Sequence, residues 1–181
     1  PLKTLIAKRT ENLIVPSLRE KIERATKKEF PSGIPSFGTD ALRLTFASLA
    51  SGSRDINFDV KRVEGYRNFC NKLWNASRFI KLQCKGYKKS KKFSDDQIDK
   101  WIRSEFNKSL ESYVDHIDNS RFDLATQVLY EFIWEKLCDW YIEFCKIRLN
   151  DQSISNVEKA QIKNSLLDIF EKTLKLAHPM M

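Results

Sequence analysis

The sequence predicts a mainly α protein, an antiparallel helical bundle preceded by a small mixed segment. Four long stretches carry apolar residues three, four or seven positions apart, the spacing of a helix face. The connections between these stretches are short, which favours antiparallel neighbours. The chain has only five glycines and five prolines among 181 residues, too few for a loop-rich β fold.

The first part of the chain, to about residue 59, is predicted to mix short helices and loops. Residues 17–30 read as a short, highly charged helix. Residues 31–38 form a loop, because two prolines and two glycines interrupt any regular element. Residues 39–50 form a helix capped by Thr39, and residues 51–59 form another loop.

Two long helices follow. The first covers about residues 59–83, and its apolar face carries Val63, Tyr66, Cys70, Leu73 and Ile80. The second begins at "SDDQ", where Ser94 is the predicted cap and Gln97 its capping-box partner. Its apolar face carries Ile98, Ile102, Phe106, Leu110, Val114 and Ile117.

The last two predicted helices complete the bundle. The third, about residues 122–149, is apolar on nearly all sides, which places it at the centre. The fourth begins with a capping box between Ser155 and Glu158 and ends before Pro179. Its apolar face carries Ile162, Leu166, Ile169, Phe170, Leu174 and Ala177.

Charge gives the first functional indication. The formal net charge is +8, and the segment "KLQCKGYKKSKK" holds six lysines. A solvated surface is the ordinary explanation of such a charge. The more specific explanation is a polyanionic partner, above all a nucleic acid, and the clustering of the lysines favours this explanation.

Catalytic and metal sites are not indicated. The four cysteines, Cys70, Cys84, Cys138 and Cys145, form no CxxC pair and have no nearby histidine set, so we expect reduced, packed thiols. No serine–histidine–aspartate or paired-carboxylate pattern emerges. The four tryptophans lie at helical spacing and are expected in the core.

Neither a signal peptide nor a membrane span is predicted from the residues given. The opening residues "PLKTLIAKRTE" lack the apolar stretch of a signal peptide, and no apolar run approaches the roughly 20 residues of a membrane span. Because the chain opens on Pro rather than Met, we expect a fragment of a longer protein.

The segment "NKLWNASRF" breaks the pattern of its helix. If Tyr66 sets the core direction, Asn75, Arg78 and Phe79 lie roughly 180°, 120° and 220° from it. An exposed phenylalanine either packs on a flanking element or awaits a ligand, and the sequence leaves both open. Aromatic and arginine planes capture unstacked RNA bases, and Asn or Arg reads their edges.

The third helix shows a similar feature. Relative to Ile133, Ile142 points roughly 180° away, with Glu143 beside it. The pattern favours ordinary packing in a central helix for both residues.

Several motifs resemble the valyl-tRNA synthetases of bacteria, which are class I aminoacyl-tRNA synthetases. They are "GTDALRLTFASLASGSRDINFDVKRVEGYRNFCNKLWNASRF", "YEFIWEKLCDWYIEFCK" and "LAHPMM". The resemblance covers practically the whole chain, as a C-terminal fragment. It implies that residues 1–58 are the tail of the catalytic core with its stem-contact segment, and that residues 59–181 are the anticodon-binding helical bundle.

The resemblance also implies a binding site. Asn75, Arg78 and Phe79, together with Ile142 and Glu143, would approach the valine anticodon. Further candidates for tRNA backbone contacts are Arg54, Lys61, Arg62, Lys88 and Lys89. The sequence leaves open that Arg54 caps a helix or forms an ion pair instead, and that the other four are only solvated. The implied partners are tRNA(Val) and the remainder of the synthetase, with its catalytic and editing domains, in the cytoplasm and without a membrane.

The activity implied for the parent is valine–tRNA ligation with ATP and Mg²⁺. This chain lacks the His-Ile-Gly-His and Lys-Met-Ser-Lys-Ser motifs and the editing domain, so we expect no catalytic residue, cofactor or metal here. "KKSKK" joins two bundle helices and is not the second motif. The alternative function is a non-enzymatic helical module that docks another protein through Phe79 and Ile142.

Overall fold

The computed structural model describes residues 1–52, 58–87 and 92–181. Every regular element in these ranges is helical, which confirms the predicted fold class. In chain order they are α1 (Leu2–Thr10), a 3₁₀ turn (Pro16–Leu18), α2 (Arg19–Glu29), α3 (Thr39–Leu49), α4 (Val60–Gln83), α5 (Gln97–Asp118), α6 (Phe122–Glu131), a π-helical stretch (Phe132–Tyr141), α7 (Ile142–Asn150) and α8 (Asn156–Ala177). None of the described helices is long and apolar enough to cross a membrane.

Residues 1–37 form one compact unit. Here α1 packs on α2, and Arg9 donates to Glu29 at 3.2 Å. Gly33 has φ of +81°, and a Cβ at this position would lie 2.8 Å from the backbone nitrogen of Leu2. Glycine is therefore required by both conformation and space. The predicted charged helix is present as the 3₁₀ turn and α2, and the predicted loop over residues 31–38 is confirmed.

Residues 38–181 form the second unit, built around one long central helix. We call residues 122–150, which comprise α6, the π-helical stretch and α7, the central helix. Helices α3, α4, α5 and α8 all pack against it, which confirms its predicted place. Its most deeply buried side chains are Ala125, Leu129, Phe132, Ile133, Leu137, Tyr141 and Cys145.

The helix α3 belongs to this second unit, where it packs on α4 and α6. The predicted domain boundary after residue 58 separates the tail of a catalytic core from the bundle. The packing of α3 does not test this boundary, which stays a prediction.

The π-helical stretch explains why Ile142 is buried. In a π-helix each backbone hydrogen bond joins residues five positions apart, whereas in an α-helix it joins residues four positions apart. A π-helix therefore has roughly one residue more per turn. Nine residues then make about two full turns, so Ile142 returns to the side of Ile133. The two side chains are 3% and 1% exposed. The predicted opposite directions are wrong. The favoured packing interpretation is confirmed for Ile142, but it is wrong for Glu143, which is exposed.

Side-chain contacts give the directions of the helices. Helix α5 is antiparallel to the central helix, because Asp99 meets Arg148 while Glu105 meets Lys136. Helix α4 is parallel to it, because Tyr66 meets Tyr130 while residue 79 meets residue 146. The C-terminal half of α4 therefore lies beside α7.

The helix caps agree with the sequence in one case of three. Ser155 and Glu158 form the predicted capping box of α8. Thr39 is already helical, and Gly38 is the N-cap of α3. Ser94 does not cap α5, because Asp96 accepts from the amide of Ile98 instead.

Ser94 instead joins a buried polar network that ties α5 to α7. The carboxylate of Asp99 is fully buried and accepts from the Tyr141 hydroxyl at 2.6 Å and from Arg148 at 2.7 Å. Arg148 also donates to the Ser94 hydroxyl at 3.2 Å. Paired in this way, a buried carboxylate holds the start of α5 against α7.

Candidate nucleic-acid interface

An aromatic stack sets α4 against the central helix. The Phe69 ring stacks on Tyr130 at 5.0 Å, and Tyr130 stacks on Trp134 at 5.5 Å. One turn further along α4, the Lys72 ammonium lies 3.8 Å from the centre of the Trp134 ring and forms an ion pair with Asp139. These contacts fix the facing surfaces of the two helices just before the predicted site.

Four of the five predicted anticodon residues line one pocket. Asn75 and Phe79 from α4 face Ile142 and Glu143 from α7 across a cavity of about 180 Å³. The remaining lining residues are Lys72, Ala76, Cys138 and Lys146. Residues 67 positions apart in sequence thus meet because α4 and the central helix run parallel.

The pocket has a buried, apolar floor and a charged rim. Ile142 is 3% exposed and Cys138 is 7% exposed. Burial raises the pKa of the Cys138 thiol to about 11, so it stays protonated at neutral pH. At the rim, Lys146 donates to the exposed Glu143 carboxylate at 2.6 Å. The apolar floor therefore determines the shape of the pocket, and the charged rim supplies groups that can hydrogen-bond to a ligand.

Phe79 is half-buried and packs against the core. Its predicted direction, away from the core, is wrong because Phe69 and Ala76 are buried, which turns the core face of α4 towards residue 79. The Lys146 ammonium lies 5.1 Å from the ring centre. The ring is therefore held in place, and it contacts both the core and the pocket.

Arg78 lies in an adjoining groove of about 740 Å³. Asn75 and Phe79 line both cavities, so the groove lies next to the pocket. The other groove residues are Lys81, Leu82 and Lys85. Among the residues that the structure describes, three cations and no carboxylate line this groove, which favours an anion.

Two of the candidate backbone contacts, Lys61 and Arg62, lie away from this pocket and groove. Lys61 and Arg62 are exposed at the start of α4, about 27 Å along the axis from Phe79. Arg62 lines a cavity of about 450 Å³ that also contains the carboxylates of Asp123, Glu131 and Glu135. Those carboxylates oppose a phosphate at that place. Arg54, Lys88 and Lys89 fall outside the described residues.

Sequence reasoning missed Lys72 and Lys146, which flank the pocket. Their helical spacing from the predicted site residues could have identified both lysines. Lys72 precedes Asn75 by three residues and Phe79 by seven, while Lys146 follows Glu143 by three. Both cations therefore share a face with a residue that was identified.

The tryptophans are not all in the core, contrary to the prediction. Trp101 and Trp134 are partly buried against it. Trp74 and Trp140 are 67% and 56% exposed. Among residues 1–52, 58–87 and 92–181, no group of histidine, cysteine and acidic side chains has the arrangement of a metal site.

The chain is similar in sequence to known proteins. Residues 99–181 match the family described as the anticodon-binding domain of tRNA ligase. The chain is 50% identical to the valine–tRNA ligase of Psychrobacter arcticus over 99% of its length, which is 19% of that protein. It is also 50% identical to those of Francisella tularensis subsp. tularensis and Buchnera aphidicola, again over 99% of its length and 20% and 19% of theirs. The chain thus spans about a fifth of the length of these curated relatives.

Proposed function

We propose that the chain recognises the anticodon of tRNA(Val) as part of a valine–tRNA ligase, because residues 99–181 match the anticodon-binding domain family of tRNA ligases. The observation that carries this proposal is the pocket between α4 and α7, where Asn75, Phe79, Ile142 and Glu143 converge. The groove of Arg78 lies next to it.

The proposed mechanism is positioning of an RNA loop. Phe79 offers a ring on which an unpaired anticodon base stacks, as aromatic side chains do in single-strand recognition. Asn75 and Glu143 supply an amide and a carboxylate for the edges of the bases, and Ile142 forms the apolar floor. Arg78 and the two lysines of the groove neutralise phosphates.

Ligation itself is proposed for the parent enzyme. That enzyme joins valine to its tRNA with ATP and Mg²⁺. Its active site, its catalytic domain and its editing domain lie outside this chain. Anticodon binding here then steers the acceptor end of the tRNA towards that site. We expect no valine-dependent ATP–pyrophosphate exchange by this chain alone. The proposed compartment is the cytoplasm, where bacterial translation takes place.

The test compares two RNA hairpins by titration calorimetry. One carries the tRNA(Val) anticodon stem-loop, and the other has the same stem with the three anticodon bases scrambled. Both have equal charge, so the phosphate contribution cancels. The proposal expects tighter binding of the matched hairpin, and equal affinities would reject anticodon recognition.

Salt dependence separates RNA binding from the alternative of an apolar protein-docking module. Phosphate contacts release counterions, so the logarithm of the binding constant for the hairpin should fall linearly with the logarithm of the salt concentration. Apolar docking is almost indifferent to salt. A flat salt profile would therefore count against a tRNA-binding surface.

A further inference from the structure

Trp74 exposes 67% of its surface on α4, next to the candidate anticodon pocket. A single exposed apolar residue is ordinary on a protein surface, so its exposure alone indicates nothing. Its neighbours make it informative. Trp74 directly precedes Asn75, and it lies five residues, about 7.5 Å along the helix axis, before Phe79.

A cationic stripe surrounds the Trp74 indole. Arg67, Asn71, Arg78 and Lys81 lie seven or three residues before it and four or seven after it, hence on the same helix face. All four side chains are exposed. In the described parts of the chain, Arg67, Arg78 and Lys81 form no ion pair, whereas the pocket lysines Lys72 and Lys146 do.

The charge of this face selects the kind of partner. Three of the six basic side chains of α4, Arg67, Arg78 and Lys81, lie on this face, and the helix has one carboxylate, Glu64. The core of a protein–protein interface is depleted in charge, whereas single-strand nucleic-acid sites combine a cationic track with exposed aromatic rings. The stripe around Trp74 has the second composition.

The stripe and the pocket lie on one continuous path around α4. With 100° per residue, Arg78 lies about 40° from Trp74 and about 100° from Phe79, which puts it between the two rings. A single strand that stacks one base on Phe79 therefore carries its backbone across Arg78. The next exposed ring on that path is Trp74.

We propose that Trp74 is a second stacking platform, which holds an unpaired base of the RNA loop next to the base at Phe79, with Arg78 on the phosphate between them. This inference rests on the proposed function, since it extends the same RNA path by one base. Trp74 is not among the five predicted anticodon residues.

Three substitutions at one position test the platform. The 181-residue chain is titrated with the fluorescently labelled tRNA(Val) anticodon hairpin, and binding is read by anisotropy. Trp74→Ala should weaken binding about five- to 140-fold, the range for loss of one stacked base. Trp74→Phe, which keeps a ring, should retain most of the affinity, and Trp74→Leu, which keeps only apolar bulk, should bind as weakly as the alanine variant.

Trp140→Ala is the matched control. Trp140 is 56% exposed, packs on Phe144 at 5.8 Å and does not line the pocket. Its removal should leave hairpin affinity unchanged. Because both indoles are exposed, neither change should alter the urea unfolding midpoint.

Two results would overturn the platform. One is unchanged affinity in every Trp74 variant, and the other is a leucine variant as tight as wild type, which indicates apolar docking. The scrambled hairpin distinguishes this inference from the proposed function. Equal binding of both hairpins, with the same loss in Trp74→Ala, would refute anticodon recognition while supporting the platform.

Discussion

The ammonium of Lys146 lies 5.1 Å from the centre of the Phe79 ring while it pairs with Glu143 at 2.6 Å. One lysine thus contacts the proposed stacking ring and the proposed base-reading carboxylate together. The cation has to share the ring with an incoming base or move to a phosphate. Either arrangement makes Lys146 part of the RNA contact.

We therefore predict that Lys146→Gln weakens binding of the anticodon hairpin and lowers the salt slope by about 0.7–1 unit, the effect of one lost phosphate contact. The control is Lys108→Gln, because Lys108 pairs with Glu105 at the same three-residue spacing on α5, outside the pocket. Hairpin affinity measured across a salt series checks this, and identical slopes for the two variants would exclude a role of Lys146.

The buried carboxylate of Asp99 predicts a large stability effect. Asp99→Ala leaves the Arg148 guanidinium, whose side chain is 14% exposed, without its closest partner. Breaking such a buried pair costs about 3–5 kcal/mol, and we expect that loss in the free energy of unfolding by urea. Glu111→Ala, an exposed change on the same helix, should stay within about 0.5 kcal/mol. Similar values for both variants would show that the network contributes little.

The ion pair between Arg121 and Asp123 predicts a pH dependence. Hydrogen bonds from Arg121 lower the pKa of Asp123 to about 2. A lowered pKa in the folded state stabilises the fold above the unfolded value of about 3.9, and this contribution is lost as the pH falls towards 2. Asp123→Asn should therefore lower the free energy of unfolding at neutral pH, and this deficit should shrink as the pH falls through 2.

Urea unfolding at several pH values measures this. Glu64→Gln is the control, since this exposed carboxylate forms no ion pair with the residues that the structure describes. A deficit of Asp123→Asn that is constant from neutral pH to pH 2 would contradict the assignment, because it would not depend on the charge.

The bundle was predictable from helical spacing, but the exact burial of each face was not. On α5 the apolar pattern selects Val114, which is 46% exposed, and omits Asp99 and Tyr113, which are buried. Hydropathy assigns an aspartate to the surface, whereas its partners Tyr141 and Arg148 lie on another helix. Only the tertiary pairing reveals that this face turns inwards.

The candidate site was predictable in part for the same reason. Asn75, Phe79, Ile142 and Glu143 do meet, although a 3.6-residue period gives the wrong direction for Ile142 because a π-helical stretch precedes it. The sequence carries no visible signal for π winding. Exposure of Trp74 was also unpredictable, because a tryptophan at helical spacing resembles a core residue whichever face is buried.

The most direct test of the central claim is the effect of Phe79→Ala on the two hairpins by titration calorimetry. Phe79 is half-buried, so Phe144→Ala, another half-buried phenylalanine outside the pocket, controls for loss of packing. We predict that Phe79→Ala weakens the matched hairpin by about 1–3 kcal/mol, the value of one base stack, and that Phe144→Ala leaves it unchanged. Equal affinity of wild type and Phe79→Ala for the matched hairpin would contradict anticodon recognition at this pocket.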